Sequence, residues 1–105
     1  MVVHVLIKGL VQGVFFRAFI KKNADNLHIT GWVKNTFEGN VEAVFMGEKE
    51  KVEKIIELCR QGPPLAEVTD LIVTPEKGSE IYTDFTIQRL IFLHTTYCSI
   101  LFLTI

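Results

Sequence analysis

The chain switches between two hydrophobic periods. Val3, Val5 and Ile7 recur every second residue, the spacing of a half-buried strand over residues 3–8. Beyond a stretch with two glycines the period lengthens. Phe16, Phe19, Ile20, Ala24 and Leu27 follow helical spacing with Lys21, Lys22 and Asp25 between them, which predicts a helix fading between Asn26 and His28. Residues 29–35, ITGWVKN, read as a second strand. TFEG reads as a turn with Gly39 available for positive φ, and residues 40–47 as a third strand with Val41, Ala43 and Phe45 on one face, closing a hairpin. Val52, Ile55, Ile56 and Cys59, at i, i+3, i+4 and i+7, mark a second helix. Glu48 and Glu50 suit its start, Arg60 suits its end, and Gly62-Pro63-Pro64 stops it. Residues 68–74 and 81–88 read as the fourth and fifth strands around the turn EKGS, with Ile81, Phe85 and Ile87 on one side of the fifth.

The order β-α-β-β-α-β plus a further strand predicts an α+β domain. Its sheet is mostly antiparallel, two helices cover one face, and an extra strand lies C-terminal: a ferredoxin-like βαββαβ sandwich. With 105 residues and 49% hydrophobic content, one domain with a real core is expected. No internal repeat or low-complexity linker interrupts it.

Charge divides the chain unevenly. Every Lys, Arg, Asp and Glu lies in residues 1–89, and LIFLHTTYCSILFLTI, residues 90–105, has none. We therefore expect a domain over 1–89 and a hydrophobic C-terminal extension over 90–105. Eleven of the extension's sixteen residues are apolar or aromatic. As a helix it would span about 24 Å, short of the roughly 30 Å bilayer core, and His94, Thr95 and Thr96 interrupt it. Its β-branched and aromatic content suits strands better, with a hairpin turning near His94 to Thr96. It is expected to pack on the domain's own sheet or on another copy, giving self-association through 90–105, as an accessory or non-native extension away from the functional site. A tail anchor is the weaker alternative, so no membrane partner is expected.

Overall, 11 basic residues balance 12 acidic ones, a net charge of −1. That lacks the basic surplus of a general nucleic-acid binder. Cys59 and Cys98 form neither a metal spacing nor a redox pair, and a reduced, cytoplasmic setting is the simplest reading. MVVHVLIKG reaches a charge at Lys8, too early for a signal peptide. His4, His28 and His94 show no metal spacing, Ser79 and Ser99 have no evident base, and Trp32 reads as a packing residue.

The chemistry concentrates in KGLVQGVFFRAF, Lys8 to Phe19. Between strand and helix lies a loop that is apolar apart from Gln12, and it ends on Arg17. A cation in the first turn opposes the helix dipole. It fits if an anion lies between them: successive backbone N–H groups form a nest, the helix end adds positive potential, glycine permits close approach, and the guanidinium fork matches phosphate oxygens. The loop is neither GxxxxGK[ST] nor GxGxxG, and no Ser, Thr or paired Asp is positioned for magnesium, so a metal-free phosphate site is the sharper inference. A plain βα turn whose Arg17 pairs with a surface carboxylate is the alternative, and the residues alone leave both open. In GWVKN, Asn35 has an amide able to hold a water near such a phosphate. From the residues alone, an Asn that starts the turn is the simpler reading.

At these two stretches the sequence resembles the acylphosphatase family. Gly9 to Arg17 matches G-x-V-Q-G-V-x-F-R and Gly31 to Asn35 matches G-W-V-x-N. Gly39, Gly47, Gly62-Pro63-Pro64 and FTI, Phe85 to Ile87, also fall where the family has them, so the resemblance covers about residues 3–89. It implies metal-free and cofactor-free hydrolysis of the carboxyl-phosphate bond of a small acyl phosphate, releasing inorganic phosphate. Arg17 and the amides of Gln12, Gly13, Val14, Phe15, Phe16 and Arg17 would hold the phosphate, and Asn35 the attacking water. A non-catalytic anion-binding module on the same fold is one alternative. A domain acting within a larger carbamoyl-transfer machine is another.

Overall fold

The computed structural model describes residues 1–77 and 80–89, so the expectations for the extension 90–105 lie outside the described residues. The elements run β1 (Val2–Leu10), α1 (Phe16–Asn26), β2 (Thr30–Asn35), β3 (Val41–Met46), α2 (Lys49–Gln61), β4 (Glu67–Pro75) and β5 (Phe85–Gln88). The strands form one sheet in the order β4-β1-β3-β2-β5. Among the described residues only β2 and β5 pair in parallel; β1 pairs antiparallel with both β3 and β4, and β2 with β3. This is the expected ferredoxin-like α+β sandwich.

The alternation read from the sequence becomes the core. Val3, Val5 and Ile7 of β1 and Val41, Ala43 and Phe45 of β3 are buried, as are Phe16, Ile20 and Ala24 of α1 and Val52, Ile55 and Cys59 of α2, all in one cluster between sheet and helices. Phe45 and Phe85 stack there with ring centroids 5.8 Å apart. Burial pushes the Cys59 thiol from 9.0 up to about 12, so it packs as an apolar residue rather than serving as a nucleophile.

The opposite sheet face carries a polar cluster. His4 Nε2 lies 2.5 Å from Glu42 Oε2, which anchors His4 structurally. Lys34 Nζ sits 5.2 Å from the Trp32 ring centroid, and Trp32 Nε1 donates to Tyr82 Oη at 3.4 Å. Trp32 is thus a half-buried packing residue of the open face.

Two strands differ from expectation, and both differences shape one end of the sheet. The pattern predicts β1 over 3–8, yet it continues to Leu10 because Gly9 forms a bulge instead of a turn. Its register against β4 slips between Lys8↔Asp70 and Gly9↔Val68. Gly9 has φ 127°, and a Cβ there would collide with the Glu67 carbonyl. The bulge bends the strand end and re-aims the chain entering the loop. The second difference is β5, predicted over 81–88 but running from Phe85 to Gln88. Phe85 is 2% exposed, Ile87 38% and Ile81 83%, so the predicted shared face does not form. Pairing with β2 begins at Gly31↔Phe85, with Gly31 N–H donating to Asp84 O at 3.0 Å, so no β2 register holds residues 81–83 over the core.

Helix α1 closes without glycine. His28, at φ 56°, takes the left-handed position. Ile29 N–H donates to Ala24 O at 2.8 Å and His28 N–H to Asp25 O at 3.2 Å, the paired bonds of a Schellman cap.

Candidate active site

Residues 11–15 join the bulged end of β1 to α1. Two of them take left-handed backbone: Gly13 at φ 74° and Phe15, the N-cap, at φ 64°, ψ 26°. Glycine adopts this freely, whereas for phenylalanine it costs on the order of 1–2 kcal/mol. Alternating backbone handedness turns successive N–H groups toward one concavity. No group among the described residues accepts a hydrogen bond from the backbone N–H groups of residues 12 to 18. The first turn of α1 holds no acidic residue, and neither cap nor turn supplies a side-chain cap bond. Its orphan donors are left for a ligand.

The loop opens on a cleft of about 330 Å³ lined by Val11, Gly13, Phe15, Phe16, Arg17, Ala18, Asn35, Ile87 and Arg89. Arg17 and Asn35, 18 residues apart in sequence, share this cleft because β2 ends beside the loop. Arg17 is half-buried and makes no ion pair among the described residues, so the ordinary alternative of a carboxylate-paired arginine is not what is observed. No hydrogen bond to the Asn35 side chain forms among the described residues either; it closes β2 opposite Val41, and the turn begins at Thr36.

Of the residues predicted to hold an anion, Gly13, Phe15, Phe16 and Arg17 line the cleft, whereas Gln12 and Val14 do not. Val14 packs into the core at 8% exposure. The Gln12 side chain is used elsewhere: its Nε2 donates to Thr36 O and to Asn40 O, both at 2.8 Å. It straddles the β2–β3 turn, where Thr36 N–H donates to Asn40 O at 2.9 Å and Asn40 N–H to Thr36 Oγ1 at 3.1 Å. Gln12 is thus a strut that fixes the loop against the turn next to Asn35.

Sequence reasoning did not assign Val11, Ala18, Ile87 and Arg89 to the site. Ile87 and Arg89 arrive through the parallel pairing of β5 with β2, where Val33 faces Ile87 and Lys34 faces Gln88. Local patterns carry no signal for that pairing. Among the described residues the cleft lining offers no carboxylate, imidazole, thiol or hydroxyl, and no group of three or more His, Cys, Asp or Glu is arranged to hold a metal.

Comparison with known proteins shows the family. The family model for acylphosphatase matches residues 3–87. An acylphosphatase from Methylococcus capsulatus is 45% identical over 87 residues, covering 83% of this chain and 95% of that protein. The crystal structure of the Bacillus subtilis acylphosphatase superposes with a TM-score of 0.80 at 35% identity, covering 84% of this chain and 99% of that one. The chain is also similar to part of full-length HypF, solved in a phosphate- and nucleotide-bound form, with a TM-score of 0.73 at 27% identity over 83% of this chain and 11% of that one. The chain belongs to the acylphosphatase family, enzymes that hydrolyse acyl phosphates.

Proposed function

We propose that the cleft at the start of α1 is the site of this hydrolysis, with Arg17 and the backbone amides of residues 12–17 holding the phosphoryl group and Asn35 orienting the attacking water. The observation that carries the reading is the meeting, in one cleft, of an ion-pair-free Arg17, a run of loop amides without internal acceptors, and an Asn35 side chain without a hydrogen-bond partner among the described residues. The phosphoryl transition state spreads charge over its equatorial oxygens, so fixed donors and a guanidinium fork supply most of the needed stabilisation. The water oxygen bonds to phosphorus in line as the bond from phosphorus to the acyl oxygen breaks. The carboxylate leaves with that electron pair, and being a good leaving group it needs no strong general acid. The described lining offers no side-chain base, and the proton acceptor in this reading is a phosphoryl oxygen of the substrate.

The donor set of the lining supports a mechanism in which neither metal nor cofactor takes part. A cytoplasmic setting belongs to the same proposal, supported by the buried free thiol of Cys59. Among the described residues no helix is long and apolar enough to cross a membrane.

The test is turnover of an aryl acyl phosphate with EDTA present, following carboxylate and phosphate together. Equimolar release, unaffected by the chelator, is expected. Loss on chelation with recovery on adding magnesium would overturn the metal-free mechanism. Phosphate binding without turnover would leave an anion-binding module instead.

A further inference from the structure

Phe15 is the residue that the phosphate-holding role leaves unexplained. Its backbone takes the left-handed conformation that splays the loop amides, a geometry that glycine or asparagine adopts with far less strain. Gly13 serves the same purpose two residues earlier. The Phe15 ring does not compensate for its strain by joining the core. It is 77% exposed, whereas the adjacent Phe16 is 2% exposed and packs edge-on against Phe19. Phe15 makes no ring pair among the described residues. A large apolar group is thus held in solvent, at a backbone cost, on the wall of the cleft.

The most buried residues of the lining are the apolar Val11 and Phe16, Arg17 and Asn35 are half-buried, and Phe15 and Ile87, exposed by 77% and 38%, form an apolar part of the rim beside the exposed Arg89. A volume of about 330 Å³ stands against ~30 Å³ for each water of the liquid, so the five heavy atoms of a phosphate leave most of it to the rest of a substrate. With the phosphoryl group held by the amides and Arg17, the acyl group is what meets the rim.

We infer that Phe15 is a specificity-determining residue whose ring forms a platform for the acyl group, favouring acyl phosphates with an aromatic or similarly broad apolar body over short ones such as acetyl. This rests on the proposed site. The ring faces an aromatic acyl group by offset stacking, with Ile87 as the second apolar surface. An acetyl group is too small to cover the platform, so it gains little from it.

The experiment compares kcat/KM for benzoyl phosphate with that for acetyl phosphate in the wild type, Phe15→Gly and Phe15→Tyr. Intrinsic leaving-group differences cancel between variants, so the benzoyl/acetyl ratio isolates the platform. Phe15→Gly should lower that ratio roughly tenfold, within the range that a pocket contact supplies, and should melt no lower than the wild type because it relieves the strain. Phe15→Tyr keeps the ring face and should hold the ratio within about twofold. A ratio unmoved by Phe15→Gly, or moved equally by Phe15→Tyr, overturns the inference while leaving the hydrolytic site intact. A wild type that turns over neither substrate overturns the site assignment, and this inference with it.

Discussion

The two helices do the same packing work and begin in opposite ways. α1 buries Phe16, Ile20 and Ala24, and α2 buries Val52, Ile55 and Cys59, so each lays one apolar stripe on the same sheet face. α2 begins and ends in the ordinary way. Its N-cap, Glu48, is extended at φ −65°, ψ 144°; Glu50 lies in the first turn between Lys49 and Lys51, and Arg60 lies in the last. Gly62 then ends it, with its N–H donating to Leu58 O at 2.8 Å. α1 reverses this pattern. It has no acid in its first turn, no base in its last, a left-handed phenylalanine at its N-cap, and Arg17 where the dipole disfavours a cation. The start of α2 differs from that of α1 in its extended cap and in the carboxylate of its first turn, which offsets the neighbouring lysines. The departure at α1 is what an anion site requires: free amides, a cation beyond them, and no carboxylate to compete.

The change expected to break this contrast most strongly is Arg17→Ala. It should lower kcat/KM for an acyl phosphate by about a thousandfold, the scale of a guanidinium that stabilises phosphoryl transfer. Arg17→Lys should not restore it, since a point charge cannot replace the fork. Thermal melts should show Arg17→Ala no less stable than wild type, because the removed charge opposed the dipole. The mirror change, Arg60→Ala at the end of α2, should leave turnover intact and cost well under about 1 kcal/mol; its ion pair with Glu57, 3.8 Å apart, is exposed.

Asn35→Ala comes next. If its amide orients the water, kcat should fall about a hundredfold while KM stays within a few-fold, as for an interaction made mainly in the transition state. A folded variant with wild-type kcat would reduce Asn35 to a residue that ends its strand.

Gln12→Ala should have the smallest effect of the three. It removes two hydrogen bonds from the loop to the β2–β3 turn, leaving Thr36 O with only Gly39 N–H and Asn40 O with only Thr36 N–H. We expect a loss of about 1–3 kcal/mol in stability and roughly a tenfold fall in kcat as the loop and Asn35 lose their fixed spacing. Gln12→Glu, which keeps the size but donates nothing, should behave alike in denaturant melts and steady-state kinetics.

Most of the scaffold was legible because it is periodic. The two-residue spacing of Val3, Val5 and Ile7 and the helical spacing of Val52, Ile55 and Cys59 each correspond to a buried face. Legibility failed where a residue type has two meanings or where neighbours are distant in sequence. Gly9 reads as a turn residue, yet it is a bulge inside a strand that runs to Leu10. Ile81 reads as one face with Phe85 and Ile87, yet it precedes the β2 pairing that would hold it there. At the site, the cation and glycines of the loop stood out against local rules, and Asn35 stood out through its match to a second motif. Ile87 and Arg89 did not, because a parallel strand pair more than 50 residues apart brings them in. The role of the Gln12 side chain was hidden for the same reason, since its partners are Thr36 and Asn40.

Hydrolysis at this cleft requires an anion to sit on the amides at the start of α1 and to meet Arg17. The most direct measurement is a titration of inorganic phosphate into isotope-labelled protein, followed by amide chemical shifts, in the wild type and in Arg17→Ala. Saturable shifts confined to residues 12–18 and Asn35, much weakened in the variant, are the predicted result. Shifts centred elsewhere, such as on the open face around His4 and Glu42, or binding undiminished by loss of the guanidinium, would contradict it.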